Sequence, residues 1–421
     1  MLSFHHIQCG LLFTKPTHLN DKEFSTQSFL ESLKGSLALT LVHFYPLAGQ
    51  LVTQVDEDKH ETRVYVDCTK GPGARFIHAS SLDTTISDIV SPTDVPLVVR
   101  SFFNLNEQAV NHDGHTQPLL VVQVTELLDG VFIACSMNHC ISDGTSYWQF
   151  WNRWSEIHTS NGNHQKISES CLPVHNRWFP DGRPPPIPLP FSNPDEYVQK
   201  FETPRLRERI FHFTSGSISK LKAKVNEQSN THDISSFQAL SALVWRSMVR
   251  ANRLPHDQVI YNYLLANIRE RIDPPLPKYY FGNCIKALTI TTTAGELLDN
   301  DLGWGASLLH QSVANLNDRL VRNFVNEWLQ SPYCYHHEEL HDYNSVTIEQ
   351  SPRFDMFGNE FGLGKAVAVR SGYANKAIGV VYACPGHEGG GSVDFEICLP
   401  TDSMNALEND EEFMAFVSLQ Q

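Results

Sequence analysis

A change of hydrophobic period near residue 144 constrains this 421-residue chain more than any other feature. Val131, Phe132, Ile133 and Ala134 form a short apolar run, Leu128-Asp129-Gly130 before them is turn chemistry, and residues 119–126 (LLVVQVTE) have the composition of a partner strand. Beyond Gly144, Tyr147, Trp148, Phe150, Trp151 and Trp154 recur three and four apart, which predicts a helix with an aromatic face. Between strand and helix lies Asn138-His139-Cys140-Ile141-Ser142-Asp143-Gly144. The end of a strand that hands over to a helix is where open α/β sheets expose functional side chains. An unperturbed imidazole, with a pKa of about 6.5, is mostly neutral near pH 7, so His139 suits a general base acting on a hydroxyl or amine. The plainer alternative is a core histidine with both nitrogens satisfied, and a histidine followed four residues later by an aspartate does not decide between them.

The length exceeds what one ordinary core supports, so two domains are expected. Hydrophobic residues at 41% and aromatics at 10% suffice for packed cores and argue against a disordered chain. A net charge of −15 argues against nucleic acid as a main partner; any anion site must be a local basic pocket. Nine cysteines without paired spacing fit reduced thiols in the cytoplasm. No apolar run approaches the ~20 residues of a membrane helix, no signal peptide is evident, and the C-terminus (Val417 to Gln421) is no retention or peroxisomal address.

Residues 4–13 read as a strand. Residues 25–43 read as a helix, with cap chemistry in Ser25-Thr26-Gln27-Ser28 and a stop at Pro46 and Gly49. Residues 62–67 alternate as a short strand. Residues 159–205 are rich in proline (Pro180, Pro184, Pro185, Pro186, Pro188, Pro190, Pro194) and read as a linker at a domain boundary. A strand (209–214) and a helix from about Ser217 restart the pattern; Lys220, Lys222 and Lys224 on that helix could meet phosphates or simply face solvent. Ser235-Ser236-Phe237 caps another helix, and residues 258–266 read as a buried strand. The glycines of Pro385-Gly386-His387-Glu388-Gly389-Gly390-Gly391 are not followed by a helix, so they read as a hairpin tip rather than a phosphate loop.

Four separated stretches carry a resemblance. His139 to Gly144 matches HxxxDG; residues 33–51, with Phe44-Tyr45-Pro46-Leu47-Ala48-Gly49, match a helix leading into an FYPLAG turn. Asn267 to Pro277 followed by Tyr280-Phe281-Gly282-Asn283 matches an Arg-x-Arg element with a PPLP turn and YFGN. Asn359 to Lys365 is a variant of DFGWG-K. In this order they resemble the plant BAHD acyltransferases, and the likeness runs from about Ile7 to Phe416. It departs at Glu360, where the family has Asp, and at Leu363, where it has Trp. The family's further strand and proline-tryptophan segment ahead of Ile7 are not in this sequence.

The resemblance implies two similar-sized α/β domains, each a mixed sheet with flanking helices, chloramphenicol-acetyltransferase-like and joined by a long crossover linker. The expected division is residues 1–180 with 360–382, a linker over 181–208, and a second domain over 209–421. It implies an acyl-CoA-dependent acyltransferase, monomeric and cytoplasmic, with acyl-CoA as co-substrate, no permanently bound cofactor, no metal, and a small alcohol or amine as acceptor, an apolar plant metabolite being expected. His139 is then the general base and transfer is direct, since no neighbour is a persuasive acyl carrier. Asp143 is expected to turn away and pair with Arg269 or Arg271, and Gly144 to relieve the turn. Glu360, Gly362 and Gly364 have structural roles near the site, and Glu360 retains a carboxylate for an ion pair. Lys220, Ser235, Ser236 and Asn283 are candidate CoA contacts; Cys9, Phe44, Tyr45, Leu363 and Arg370 are candidate acceptor contacts. Cys140 is expected to point away from the histidine. One alternative is a non-catalytic binding protein on this fold, motivated by Glu360 and Leu363. Another is a zinc peptidase, because His337-Glu338-Glu339-Leu340-His341 matches H-E-x-x-H, though the third carboxylate on offer, Glu360, lies in a glycine-rich turn and not on the neighbouring helix such a site needs.

Overall fold

The computed structural model of the chain describes residues 1–19, 22–105, 108–160, 171–179, 186–200, 205–335 and 341–418. The chain starts with strand β1 (Ile7–Thr14), a small ladder of β2 (His18–Leu19) with β3 (Lys22–Glu23), and helix α1 (Thr26–His43). Ser25 caps α1 by accepting from the Ser28 amide. Residues Tyr45–Ala48 wind into a 3-10 turn where only a chain reversal was expected; Pro46 presets the helical φ there. A hairpin of β4 (Gln50–Asp56) and β5 (Glu61–Asp67) follows, then β6 (Arg75–Ser81) and α2 (Ile86–Val90). Strand β4 has no clean apolar alternation, which is why its pattern did not announce it. Hairpin strands β7 (Leu120–Leu127) and β8 (Gly130–Met137) lead into α3 (Gly144–Thr159), so the change of period at residue 144 marks a real helix start.

The second half runs β9 (Arg207–Phe213), α4 (Ser215–Gln228), α5 (Ser236–Ala251), β10 (Val259–Asn267), β11 (Ile285–Thr293), α6 (Ala294–Asp299), α7 (Leu302–Ala314) and α8 (Asp318–Gln330). It closes with β12 (Ser345–Glu349), β13 (Ala368–Ser371), β14 (Val380–Pro385), β15 (Val393–Leu399), α9 (Thr401–Glu408) and α10 (Glu411–Met414). Among the described residues no helix is long and apolar enough to cross a membrane.

Two mixed sheets organise these elements. The first has the order β13-β1-β8-β7-β6, with β6 and β7 parallel; the second has the order β11-β10-β12-β14-β15-β9, with β12 parallel to both neighbours. Strand alternation sends Cys9, Leu11 and Phe13 of β1 into a core shared with α1 and α3, and Leu12 to the opposite face with Ile89 of α2. The second sheet has its own core, built with α4, α5, α7 and α9 around Trp245, Phe395 and Met404. The architecture is the two-domain α/β fold expected.

The chain also crosses back to the first half. Met356, Phe361, Ala366 and Val369 bury in the first core, and β13 pairs with β1. This return begins ahead of residue 360 and ends before Val380, which pairs with Thr347 in the second sheet. The following turn carries Lys376, fully buried between Glu208 of β9 (3.2 Å) and Glu396 of β15, and donating to Ser371 Oγ of β13 (2.6 Å). One ammonium thus ties a strand of the first sheet to two of the second. Leu189, within the expected linker, exchanges backbone hydrogen bonds with Thr62 of β5. Residues 180–185 and 201–204 of that linker, and His337 to Leu340 of the H-E-x-x-H run, lie outside the described residues.

Candidate active site

The turn between β8 and α3 is fixed from three directions. Asn138 is buried; its side chain donates to Asn111 O (2.7 Å) and accepts from the Cys140 amide (3.0 Å), which closes the turn locally. The His139 amide donates to Asn111 Oδ1 (2.7 Å). Its carbonyl accepts from Asn283 Nδ2 (2.6 Å), which arrives from the loop between β10 and β11 in the second half. His139 is therefore held at both ends of its peptide by side chains far away in sequence.

Asp143 faces away from the imidazole. It caps α3 by accepting from the Ser146 amide (2.9 Å), takes the Cys284 amide (2.8 Å), and forms a two-pronged pair with Arg269 Nη1 (2.7 Å) and Nη2 (3.0 Å). The pair is shut from water, with side-chain exposures of 4% for Arg269 and 0% for Asp143. Arg269 also donates to Tyr280 O, Gly282 O and Ser146 Oγ, and Ser146 Oγ bonds both the amide and the carbonyl of Gly282. The HxxxDG and YFGN segments are two halves of one interface across the sheets. Gly282 has φ +154°, a backbone conformation that favours glycine, and a Cβ there would also displace the Arg177 guanidinium.

Burial lowers the pKa of His139 below its ordinary 6.5, while the ring's approach to its own carbonyl, the Asp143 carboxylate and the Asn283 side chain pull it upward. Nδ1 is buried and has no hydrogen-bond partner among the described residues, while its own carbonyl and the Asn283 side chain are the groups that favour a proton on the ring. A proton on Nδ1 aimed at its own carbonyl leaves the lone pair on Nε2. A neutral, oriented imidazole of this kind can take a proton from a hydroxyl or amine placed at Nε2.

Several residues singled out from the sequence fall elsewhere. Arg271, the other candidate partner of Asp143, is exposed and donates to Leu316 O (3.2 Å), because the tight turn after β10 aims only Arg269 inward. A Cβ on Gly144 would press on the Phe354 ring at 3.1 Å, so the clash that glycine avoids there is with an aromatic ring far away in sequence. Asn283 spends its amide on the His139 carbonyl. Ser235 caps α5 with its hydroxyl, Ser236 opens that helix, and Lys220 sits on the exposed face of α4; among the described residues no contact joins these three to His139. Cys140 is half-buried beside the first core.

The expected acceptor contacts do not converge either. Cys9 is buried beneath α3, its amide meeting Tyr147 Oη (3.1 Å), and Phe44 is wedged between Phe150 and Phe281. Tyr45 is exposed and its ring meets that of His175 at a tilt (centroids 4.8 Å apart). Arg370 lies on the α2 side of the first sheet and donates to Val369 O and Ile89 O. The variant DFGWG-K segment packs on the far part of α3: the Phe361 ring meets Trp154 (4.7 Å) and Trp151 (5.7 Å). Trp154 lies eleven residues beyond Asp143, about 16 Å along the helix. Phe361, Gly362 and Gly364 all have positive φ, while Leu363 packs at the margin of the first core. Glu360 is exposed and makes no ion pair among the described residues, so the expected bridge is not formed. His341, the described end of H-E-x-x-H, approaches Thr347 Oγ1 (3.4 Å). Asn111, Ser146, His5 and His6 were missed; their signal is only in contacts of long sequence separation.

Comparison with known proteins finds relatives over nearly the whole length of the chain. The sequence model of the Transferase family matches residues 1–414. The chain is 36% identical over 420 residues to an uncharacterized acetyltransferase of Arabidopsis thaliana, covering 98% of this chain and 92% of that protein. It is 31% identical to the BAHD acyltransferase DCR of Arabidopsis thaliana (98% and 86%), and 30% identical to shikimate O-hydroxycinnamoyltransferase of Nicotiana tabacum (89% and 86%). Among solved structures, TRI101 of F. graminearum, complexed with coenzyme A and T-2 mycotoxin, superposes with a TM-score of 0.78 at 17% identity, covering 99% of this chain and 96% of that one.

Proposed function

The chain belongs to the BAHD acyltransferases of the Transferase family and is an acyl-CoA-dependent acyltransferase, and from that premise we propose that His139 is its general base. The observation that supports this most is the way His139 is held: the amide on Asn111, the carbonyl on Asn283, the imidazole buried and neutral, and Asp143 turned into the Arg269 pair. In this reading the acceptor O–H or N–H gives its proton to Nε2 as the oxygen or nitrogen attacks the thioester carbonyl. The tetrahedral intermediate collapses, the C–S bond breaks, and the imidazolium returns the proton to the coenzyme A thiolate. Transfer is direct within a ternary complex. Cys140 is no acyl carrier, since burial pushes its thiol up to about 11.

Asp143 and Arg269 act as a brace between the halves, not as proton carriers. We divide the chain into residues 1–180 and 209–421, with Phe354–Ser371 returning to the first half; the separate cores support this division. Nine unbridged cysteines support a reducing, cytoplasmic setting.

The test is His139→Ala assayed with a panel of acyl-CoA thioesters and alcohols, products read by mass. The expected result is a folded protein with turnover reduced at least ~100-fold. Near wild-type turnover would remove His139 from the chemistry.

A further inference from the structure

A second histidine, His6, is near enough to His139 for the two rings to repel each other's charge, and neither of its nitrogens makes a hydrogen bond. Ile7 of β1 pairs with Met137 of β8, so the residues before Ile7 run alongside those after Met137. Asn111 stitches the two segments together: its Nδ2 donates to His5 O (3.1 Å), its Oδ1 accepts from the His139 amide, and its carbonyl accepts from Asn138 Nδ2. On the other side Asn375 holds this segment through the His5 amide, the His5 ring and the His6 carbonyl (3.1 Å). The backbone around His6 is thus fixed without help from the His6 ring.

That ring is 1% exposed, and both of its nitrogens are buried without a hydrogen-bond partner. Buried polar atoms are nearly always paired, and an unpaired one costs free energy that an apolar side chain of similar volume would not. Burial, with the neighbouring His5 and His139, pushes the His6 pKa down to about 3, so the imidazole is neutral at any physiological pH. A neutral imidazole with two open nitrogens offers one donor and one acceptor. A thioester carbonyl could use only the donor. A hydroxyl or amine, donor and acceptor at once, can engage either nitrogen.

We propose that His6 is a specificity-determining residue of the His139 site, hydrogen-bonding a second polar group of the acceptor beside the one that is acylated. The proposal rests on the acyltransferase reading and deepens it. It replaces a wholly apolar acceptor by one carrying two neighbouring polar groups, such as a diol, a hydroxy-phenol or an amino alcohol. His6 takes no part in proton transfer.

The test compares benzyl alcohol with 2-hydroxybenzyl alcohol as acceptors, acetyl-CoA and benzoyl-CoA as donors, in wild type, His6→Phe, His6→Gln and His139→Ala. Losing one neutral hydrogen bond should lower kcat/KM for 2-hydroxybenzyl alcohol relative to benzyl alcohol by roughly fivefold to tenfold in His6→Phe, through KM. His6→Gln, which keeps a donor and an acceptor, should recover most of that ratio. His6→Phe should melt at or above the wild-type temperature, since it removes unpaired polar atoms. An unchanged ratio, or a His6→Phe protein that melts several degrees lower with no rescue by Gln, overturns the proposal and makes His6 a structural residue. Should wild type transfer to neither alcohol, the same four proteins are compared on an acceptor found in the wider panel and its analogue without the second polar group; a ratio between the two that His6→Phe leaves unchanged overturns the proposal, whereas transfer to no acceptor at all would count against the acyltransferase reading instead.

Discussion

Asp143→Ala offers the sharpest separation of brace from chemistry. The substitution deletes the acceptor for the Ser146 amide, the Cys284 amide and both Arg269 nitrogens. Removing one side of a buried ion pair costs about 3–5 kcal/mol, because the other charge stays behind without its partner. Losing the N-cap of α3 adds about 1 kcal/mol. A total of about 4–6 kcal/mol corresponds to a fall in Tm of roughly 10–20 °C for a unit of 150–250 residues. Thermal denaturation followed by circular dichroism measures it. The double variant Asp143→Leu with Arg269→Met should recover much of the loss, since it removes the stranded guanidinium along with the carboxylate. If Asp143→Ala melts like wild type and yet is inactive, the reasoning is refuted, and Asp143 belongs to the reaction.

Two further outcomes follow from buried charge. Burial holds the His139 pKa below 6.5, so the base stays neutral to more acidic pH; the acid limb of kcat/KM should have its midpoint below 6.5, and a midpoint at or above that value would contradict the burial argument. Lys376→Met should cost about 3–5 kcal/mol at pH 8, read from the guanidinium midpoint, because Glu396 loses its cation. Burial alone would depress Lys376, yet Glu208 and Glu396 raise it above 10.5, so its contribution is complete below that value for as long as the two glutamates stay ionised, and an unchanged midpoint at pH 8 would show the cluster to be inert.

What the sequence disclosed is what local pattern can carry. The helix after residue 144 was legible because Tyr147, Trp148, Trp151 and Trp154 share one buried face, and period alone reveals a face. The cap at Ser25 was legible because capping is a contact three residues long. The partner of Asp143 was narrowed to two arginines and no further. Arg269 and Arg271 sit two apart in a segment that leaves its strand, and the turn that returns the Leu276 amide to the Arg269 carbonyl decides which one points inward. The acceptor contacts failed for a related reason. Cys9 and Arg370 lie on adjacent strands, but Cys9 pairs with Ser371 while Arg370 pairs with Gly10, so the two side chains emerge on opposite faces. A one-residue difference in register is invisible without the pairing.

The polar frame of the site lay further out of reach. Asn111 sits in a short 3-10 turn with no helical or strand period, yet it joins His5, Asn138 and His139 across separations of 106, 27 and 28 residues. Asn283 reaches the His139 carbonyl across 144 residues. Such residues leave no spacing to read, because their partners are chosen by the docking of two sheets and not by the helix or strand they occupy. They also explain why the turn that carries His139 and the YFGN loop must appear together in one chain. Without Asn283, the His139 carbonyl loses the donor that fixes it; without Arg269, the start of α3 holds a buried carboxylate with no counter-charge. Folding of the second sheet therefore completes a site whose candidate base lies wholly in the first, and the orientation of His139 depends on how tightly the halves are closed.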